Sequence, residues 1–241
     1  MGAAPKADIE DLPRITPGIL RNVESMCPLR VRFDHSGARS NTGANLRYRV
    51  KTHVLAQARV AHAELRVAEL SHFEALPSLV PEEGAGFDAA VSAYVDVFAD
   101  DPARTLDLDE WETIDVERGV RLVAGVDLFV EDASAHAELR FLDLDGWPAP
   151  ADPLEDPGIL FAVARVAEQV RDGPLRLRGA NLRDGTLTFD EQIHPEAERD
   201  RLDTWLDDRL RVVREIANDG RPRKSMECGR CRYVSRCKAH R

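Results

Sequence analysis

Four cysteines, one near the start of the chain and three crowded at its end, constrain this sequence more than any other feature. The terminal stretch Met226-Glu227-Cys228-Gly229-Arg230-Cys231-Arg232-Tyr233-Val234-Ser235-Arg236-Cys237 spaces its thiols as C-x2-C-x5-C, and the fourth thiol is Cys27. A C-x2-C turn lets two sulfurs point at one ion or one cluster iron, so this set suits a tetrahedral thiolate site. Such a site draws ligands from both ends of the chain and closes the fold like a clasp. Zinc and a 4Fe-4S cluster each accept four cysteines. Two disulfides, or free thiols packed as small hydrophobes, are the plain alternatives. Disulfides are disfavoured, because four cysteines in 241 residues make no disulfide framework. The sequence also shows no signal peptide or transmembrane run, which points to the reducing cytoplasm and to no membrane partner.

Charge is distributed unevenly. The formal net charge is -10, which by itself argues against a polyanionic partner. Residues 221–241, however, carry Arg221, Arg223, Lys224, Arg230, Arg232, Arg236, Lys238 and Arg241 against Glu227 alone, a local +7. Residues 14–39 hold five arginines, Arg30 and Arg32 among them, against Glu24 and Asp34, a further +3, so the rest of the chain stands at -20. If the cysteines meet, the two basic segments meet with them and form a positive face on an acidic body. Such a face attracts phosphate backbones, and an arginine-rich solvated surface is the equally simple reading of charge alone.

A length of 241 residues with 43% hydrophobic content supports one soluble domain with a full core. Residues 1–13 read as frayed. Thr16-Pro17 reads as an N-cap with proline at the first helical position, opening a helix that runs through Ile19, Leu20 and Val23 to Cys27-Pro28. The loop from Ser36 to Asn45 precedes a long helix over 46–70, with Val50, Val54, Ala58, Ala61, Leu65 and Ala68 on one stripe. A break over 77–86 leads to a helix over 87–98. The period then changes to two: strands are expected over 111–117 and 120–130 as a hairpin, and over 138–144. An apolar helix over 157–170, a hairpin of 175–181 and 186–192 turning at Asp184-Gly185, and a helix over 195–218 complete an α/β sandwich with mixed strands.

Four pieces of this pattern, in order along the whole chain, carry a family likeness. They are Thr16-Pro17 through Leu20 to Cys27-Pro28-Leu29-Arg30, then Leu122-Val123-Ala124-Gly125-Val126-Asp127, then Leu142-Asp143-Leu144-Asp145-Gly146, and last Gly220 through Cys228-Gly229-Arg230-Cys231-Arg232-Tyr233 to Cys237. The chain resembles the iron-sulfur branch of the PD-(D/E)xK nucleases, the RecB/AddB-like and CRISPR-adaptation-type nuclease domains. That likeness implies a restriction-endonuclease-like core, a mixed central β-sheet flanked by helices with the termini joined by a four-cysteine cluster. It favours 4Fe-4S over zinc at Cys27, Cys228, Cys231 and Cys237.

The likeness also implies hydrolysis of a phosphodiester by a water activated by Mg2+ or Mn2+. Asp127 and Asp143 correspond to the family's metal carboxylates, and the carbonyl of Leu144 to a third oxygen ligand. A helix histidine completes the family's set, for which His53 and His62 are the candidates. Nine residues apart, they lie on roughly opposite helix faces, so at most one points inward. The implied partners are DNA with a single-stranded portion, held by Arg30, Arg32, Arg230, Arg232 and Arg236, and a helicase or other DNA-processing protein.

One departure stands out. Asp145 occupies the position of the family's catalytic lysine, and a carboxylate cannot offset charge in the transition state as a lysine does. The family's later Gln-x-x-x-Tyr motif is also not visible in Ile159 to Gln169. The only lysines are Lys6, Lys51, Lys224 and Lys238, and Lys51, on the helix of the two histidines, is the best substitute. Three functions follow: a metal-dependent DNA nuclease of DNA processing or repair with an altered centre, a catalytically dead DNA-binding or partner-binding module on the same fold, and a zinc-stabilised interaction protein.

Overall fold

The computed structural model describes residues 12–16, 19–20, 23–24, 26–35, 46–64, 67, 81–101, 103–106, 112–132, 134–144, 151–167, 170, 173–221, 228, 231, 233 and 237. In chain order the elements are β1 (Arg14–Ile15), α1 (Pro28–His35), α2 (Leu46–Ala63), α3 (Pro81–Phe98), β2 (Arg104–Thr105), β3 (Glu112–Asp115), β4 (Val120–Val123), β5 (Leu128–Glu131), β6 (Ala137–Asp143), a 3-10 turn (Pro153–Glu155), α4 (Pro157–Ala167), β7 (Leu175–Asn181), β8 (Thr186–Ile193) and α5 (Arg199–Asp219). They divide into two compact units, one made of residues 1–42, 110–125 and 199–241, the other of 43–109 and 126–198.

The first unit gathers both ends of the chain. Thr16 caps a helical turn as expected, its carbonyl accepting from Ile19 N at 3.0 Å and Leu20 N at 3.3 Å. Pro28 opens α1 instead of closing the preceding helix, which suits a residue with fixed φ and no N–H to lose. Helix α1 packs on α5. The latter buries Leu202, Leu206, Leu210, Val213 and Ala217, a stripe at three- and four-residue spacing. Beside them β1 pairs in parallel with β4, and β3 pairs antiparallel with β4. The β3–β4 turn is held by Asp115, whose Oδ1 accepts from Arg118 N at 2.9 Å, and closes at Gly119 with φ of +62°. Arg118 also reaches Asp203 at 3.1 Å and Asp207 at 2.5 Å on α5.

The second unit is a five-stranded sheet in the order β2-β5-β6-β7-β8. The β6–β7 pair is parallel and bridged by α4; the others are antiparallel, so the sheet is mixed. Its core joins Val50, Val54, Ala58 and Ala61 of α2 and Phe87, Val91, Tyr94 and Phe98 of α3 to Leu128, Val130, Leu142 and Ala180 of the strands.

The expected mixed α/β architecture is present, with three local corrections. The single strand expected over 120–130 is two, because the chain leaves one sheet after Val123 and enters the other at Leu128, crossing at Ala124-Gly125-Val126-Asp127. The helix expected from residue 46 to 70 stops at Ala63. The helix expected from 87 begins at Pro81, whose fixed φ suits a first helical position.

Candidate active site

Asp127 stands just before β5, where the β5–β6 ladder ends at the pair Leu128 and Arg140. Its N–H bonds to Arg140 O at 3.2 Å, and its own carboxylate, through Oδ2, accepts the N–H of Leu142 at 2.6 Å. A side-chain oxygen therefore substitutes for a main-chain acceptor at the end of the ladder, which fixes the carboxylate against β6. Asp143, the next residue and the last of β6, is half-buried, and its carbonyl accepts from Leu182 N at 2.7 Å. Leu144 follows in a bend with its side chain packed against the core, and Asp145 lies outside the described residues.

Helix α2 supplies two cations to the same aspartate. Lys51 Nζ lies 2.8 Å from Asp127 Oδ2, with the two side chains 29% and 18% exposed. Arg59, two turns further on, donates from Nη2 to the main-chain oxygen of Asp127 at 3.3 Å. The lysine singled out on the helix is thus the one at the aspartate. Arg59 was not legible as a partner, although its spacing of eight residues from Lys51 keeps it within about a quarter-turn of the same face.

Neither histidine reaches Asp127. His53 is two residues, about 200°, round the helix from Lys51 and is half-buried on the other side. His62 does point inward, but into a buried polar network where both ring nitrogens are engaged. Its Nδ1 is 2.7 Å from Ala103 O, so this nitrogen carries the proton. Nε2 then accepts, 2.7 Å from the Tyr94 hydroxyl and 2.8 Å from Arg140 Nη1. With no lone pair to spare, His62 is not a metal ligand in this arrangement.

Arg140 is the hub of that network. Fully buried, it donates to Glu138 Oε1 at 2.5 Å and to Asp101 Oδ2 at 2.6 Å, and its guanidinium lies 4.2 Å from the Phe98 ring centroid. Arg178 reaches the same Asp101 oxygen at 2.5 Å. Burial, and then the Arg140 charge, push the His62 pKa down to about 4. Burial likewise pushes the Tyr94 phenol up to about 12. The sequence signal for this hub was Glu138 and Arg140 at alternate positions of an otherwise apolar strand, a spacing that puts both on one side of the sheet.

In the first unit all four cysteines are half-buried and none is joined in a disulfide. Cys231 N donates to Cys228 O at 3.1 Å, closing the C-x2-C turn. Among the described residues no three His, Cys, Asp or Glu side chains form a group that could hold a metal ion. The assembled four-cysteine clasp expected from the sequence is therefore not formed among them; thiols have little attraction for one another, and a ligand set of this kind is drawn together by the ion it holds. The chemistry of the donors still suits zinc or a cluster. For Mg2+ or Mn2+, two carboxylates are sufficient protein ligands when water and substrate phosphate complete the shell, so Asp127 and Asp143 fit in kind. Of the arginines assigned to a nucleic-acid face, Arg30 and Arg32 lie on α1, with Arg32 over Gly220, while Arg230, Arg232 and Arg236 lie outside the described residues.

Compared with known proteins, the chain matches the family model of the PD-(D/E)XK nuclease superfamily over residues 37–238. The mixed sheets flanked by helices are consistent with that family's restriction-endonuclease-like fold. No curated protein matches the chain.

Proposed function

The chain belongs to the PD-(D/E)XK nuclease superfamily, and on that premise we propose that it is a metal-dependent DNA hydrolase centred on Asp127, Asp143 and Lys51. The observation that carries the reading is the 2.8 Å contact between Lys51 Nζ and Asp127 Oδ2. It puts an ammonium beside Asp127, the neighbourhood in which the family's strand lysine would act and which Asp145 leaves without one. The divalent ion, held by Asp127, Asp143 and the Leu144 carbonyl, would polarise the phosphodiester and activate water. Lys51 offsets the charge that grows on the phosphate oxygens, and Arg59, tied to the Asp127 carbonyl, keeps the aspartate's backbone in place.

DNA is the substrate that the superfamily implies. Within it, the RecB-like iron-sulfur type is the finer reading, with Cys27, Cys228, Cys231 and Cys237 as ligands of a 4Fe-4S cluster and zinc as the alternative metal. Support comes from four cysteines outside any disulfide in one compact unit. The basic segments of that unit would hold DNA carrying a single-stranded portion, beside a helicase or other DNA-processing partner in the cytoplasm. No helix among the described residues is long and apolar enough to cross a membrane.

A second reading, the catalytically dead binding module, is favoured by the engagement of Asp127 Oδ2 by two donors at once. Incubating the anaerobically purified protein with Mn2+ and end-labelled duplex DNA bearing a single-stranded tail separates the two. Cleavage that disappears in Asp127→Ala and in Asp143→Ala supports the hydrolase. DNA binding without cleavage in the unmodified protein leaves the binding module.

A further inference from the structure

The double engagement of Asp127 Oδ2 has a second consequence, which concerns how the centre takes up its ion. The oxygen accepts from Leu142 N at 2.6 Å and from Lys51 Nζ at 2.8 Å. These two donors are not equally movable. The Leu142 amide belongs to β6 and can leave only if the end of the β5–β6 ladder opens. Lys51 sits on a flexible four-carbon stem and can swing away at the cost of one ion pair.

We infer that Lys51 is a built-in counter-ion of Asp127 which a divalent cation must displace, so that this helix lysine sets the metal affinity of the centre. This rests on the reading of Asp127 as a metal ligand and adds its regulation. Two features make the competition strong. The pair is partly buried, with side chains 29% and 18% exposed, so solvent and salt screen it less than a surface pair. An ammonium and a divalent ion on one carboxylate also repel each other at close range. The displaced ammonium needs a new anion, and a phosphodiester lying across the site is the one that the proposed reaction supplies. Metal and nucleic acid therefore enter with positive coupling, each favouring the other by the same factor. Without nucleic acid, the lysine weakens the hold of the centre on the ion.

Calorimetric titration of Mn2+ into the unmodified protein, Lys51→Met and Asp127→Asn tests this directly. Lys51→Met preserves the length and packing of the stem while removing the charge, and should bind Mn2+ about fivefold more tightly than the unmodified protein, the value of an ion pair worth about 1 kcal/mol. Asp127→Asn should bind most weakly. Equal or weaker binding by Lys51→Met overturns the inference. Should that variant not fold, the unmodified protein provides the answer: after reductive 13C-methylation its lysine signals come only from Lys6, Lys51, Lys224 and Lys238. One of them should move as Mg2+ is added and stay still in Asp127→Asn; saturation with Mg2+ and no moving lysine signal also overturns it. Tighter binding by Lys51→Met in a protein that never cleaves DNA keeps the counter-ion and removes the hydrolase. Cleavage by the unmodified protein, together with unchanged Mn2+ affinity in Lys51→Met, keeps the hydrolase and removes the counter-ion.

Discussion

Acidification should destabilise this protein through His62. The ring is fully buried, bonded through Nδ1–H to Ala103 O, and receives hydrogen bonds at Nε2 from Tyr94 and Arg140. Asp101 and Glu138 lie on the far side of Arg140 and are committed to its guanidinium. A proton added at Nε2 would face the Arg140 charge and break two hydrogen bonds. The folded-state pKa accordingly falls from 6.5 to about 4. In the unfolded chain His62 takes up a proton near pH 6.5, while in the folded protein it does not until about pH 4. The unfolded state therefore binds more protons in that window. The contribution is present above pH 6.5 and is lost as pH falls towards 4, a total of about 3 kcal/mol, of which about 2 kcal/mol is lost between pH 7 and 5. Urea unfolding at pH 7 and pH 5, for the unmodified protein and for His62→Gln, measures it. Glutamine keeps a donor and an acceptor but cannot titrate, so the difference between the two pH slopes isolates His62 from the other histidines and carboxylates. Equal slopes in the two proteins would refute the argument.

Further outcomes are expected in the first unit. Arg118→Ala removes the side chain that links the β3–β4 turn to α5 through Asp115, Asp203 and Asp207, and should cost about 1–2 kcal/mol in urea unfolding, because Asp115 is the least exposed of the three and is left without its charged partner. Cys27→Ser should lower both iron content and melting temperature, since a cluster joining Cys27 to Cys228 closes a loop of roughly 200 residues, worth up to about 5 kcal/mol; stoichiometric zinc without iron after anaerobic purification would select the zinc reading. Neutralising Arg230, Arg232 and Arg236 together should weaken DNA binding and flatten its dependence on salt by about one unit of slope for each phosphate no longer neutralised. An unchanged slope would move the nucleic-acid face elsewhere.

Much of the fold was legible because the hydrophobic period changes where the structure does. The stripe through Val50, Val54, Ala58 and Ala61 faces the core, and the Asp184-Gly185 turn joins β7 to β8 with Gly185 at φ +68°. What misled was a run of β-formers with no visible break: residues 120–130 read as one strand, yet Gly125 and its neighbours carry the chain from one sheet to another. The site was half legible. Asp127 was singled out by the family likeness, and Lys51 by the scarcity of lysines. Helical phase would have sharpened both histidines, since Lys51 and His62 are eleven residues apart and share a face, whereas His53 does not. The engagement of His62 by Ala103, Tyr94 and Arg140 was not legible, because it depends on side chains from α3 and β6 and a main-chain carbonyl from the segment before β2 meeting in three dimensions.

The claim that a helix lysine does the work missing at Asp145 is tested most directly by single-turnover cleavage of DNA with Mn2+ by the unmodified protein, Lys51→Ala, and Lys51→Ala combined with Asp145→Lys. Loss of a charge-stabilising group of this kind costs about a hundredfold to a thousandfold, so Lys51→Ala should cleave that much more slowly, and the strand lysine of the double variant should recover a large part of the rate. Cleavage by Lys51→Ala at the rate of the unmodified protein would contradict the account.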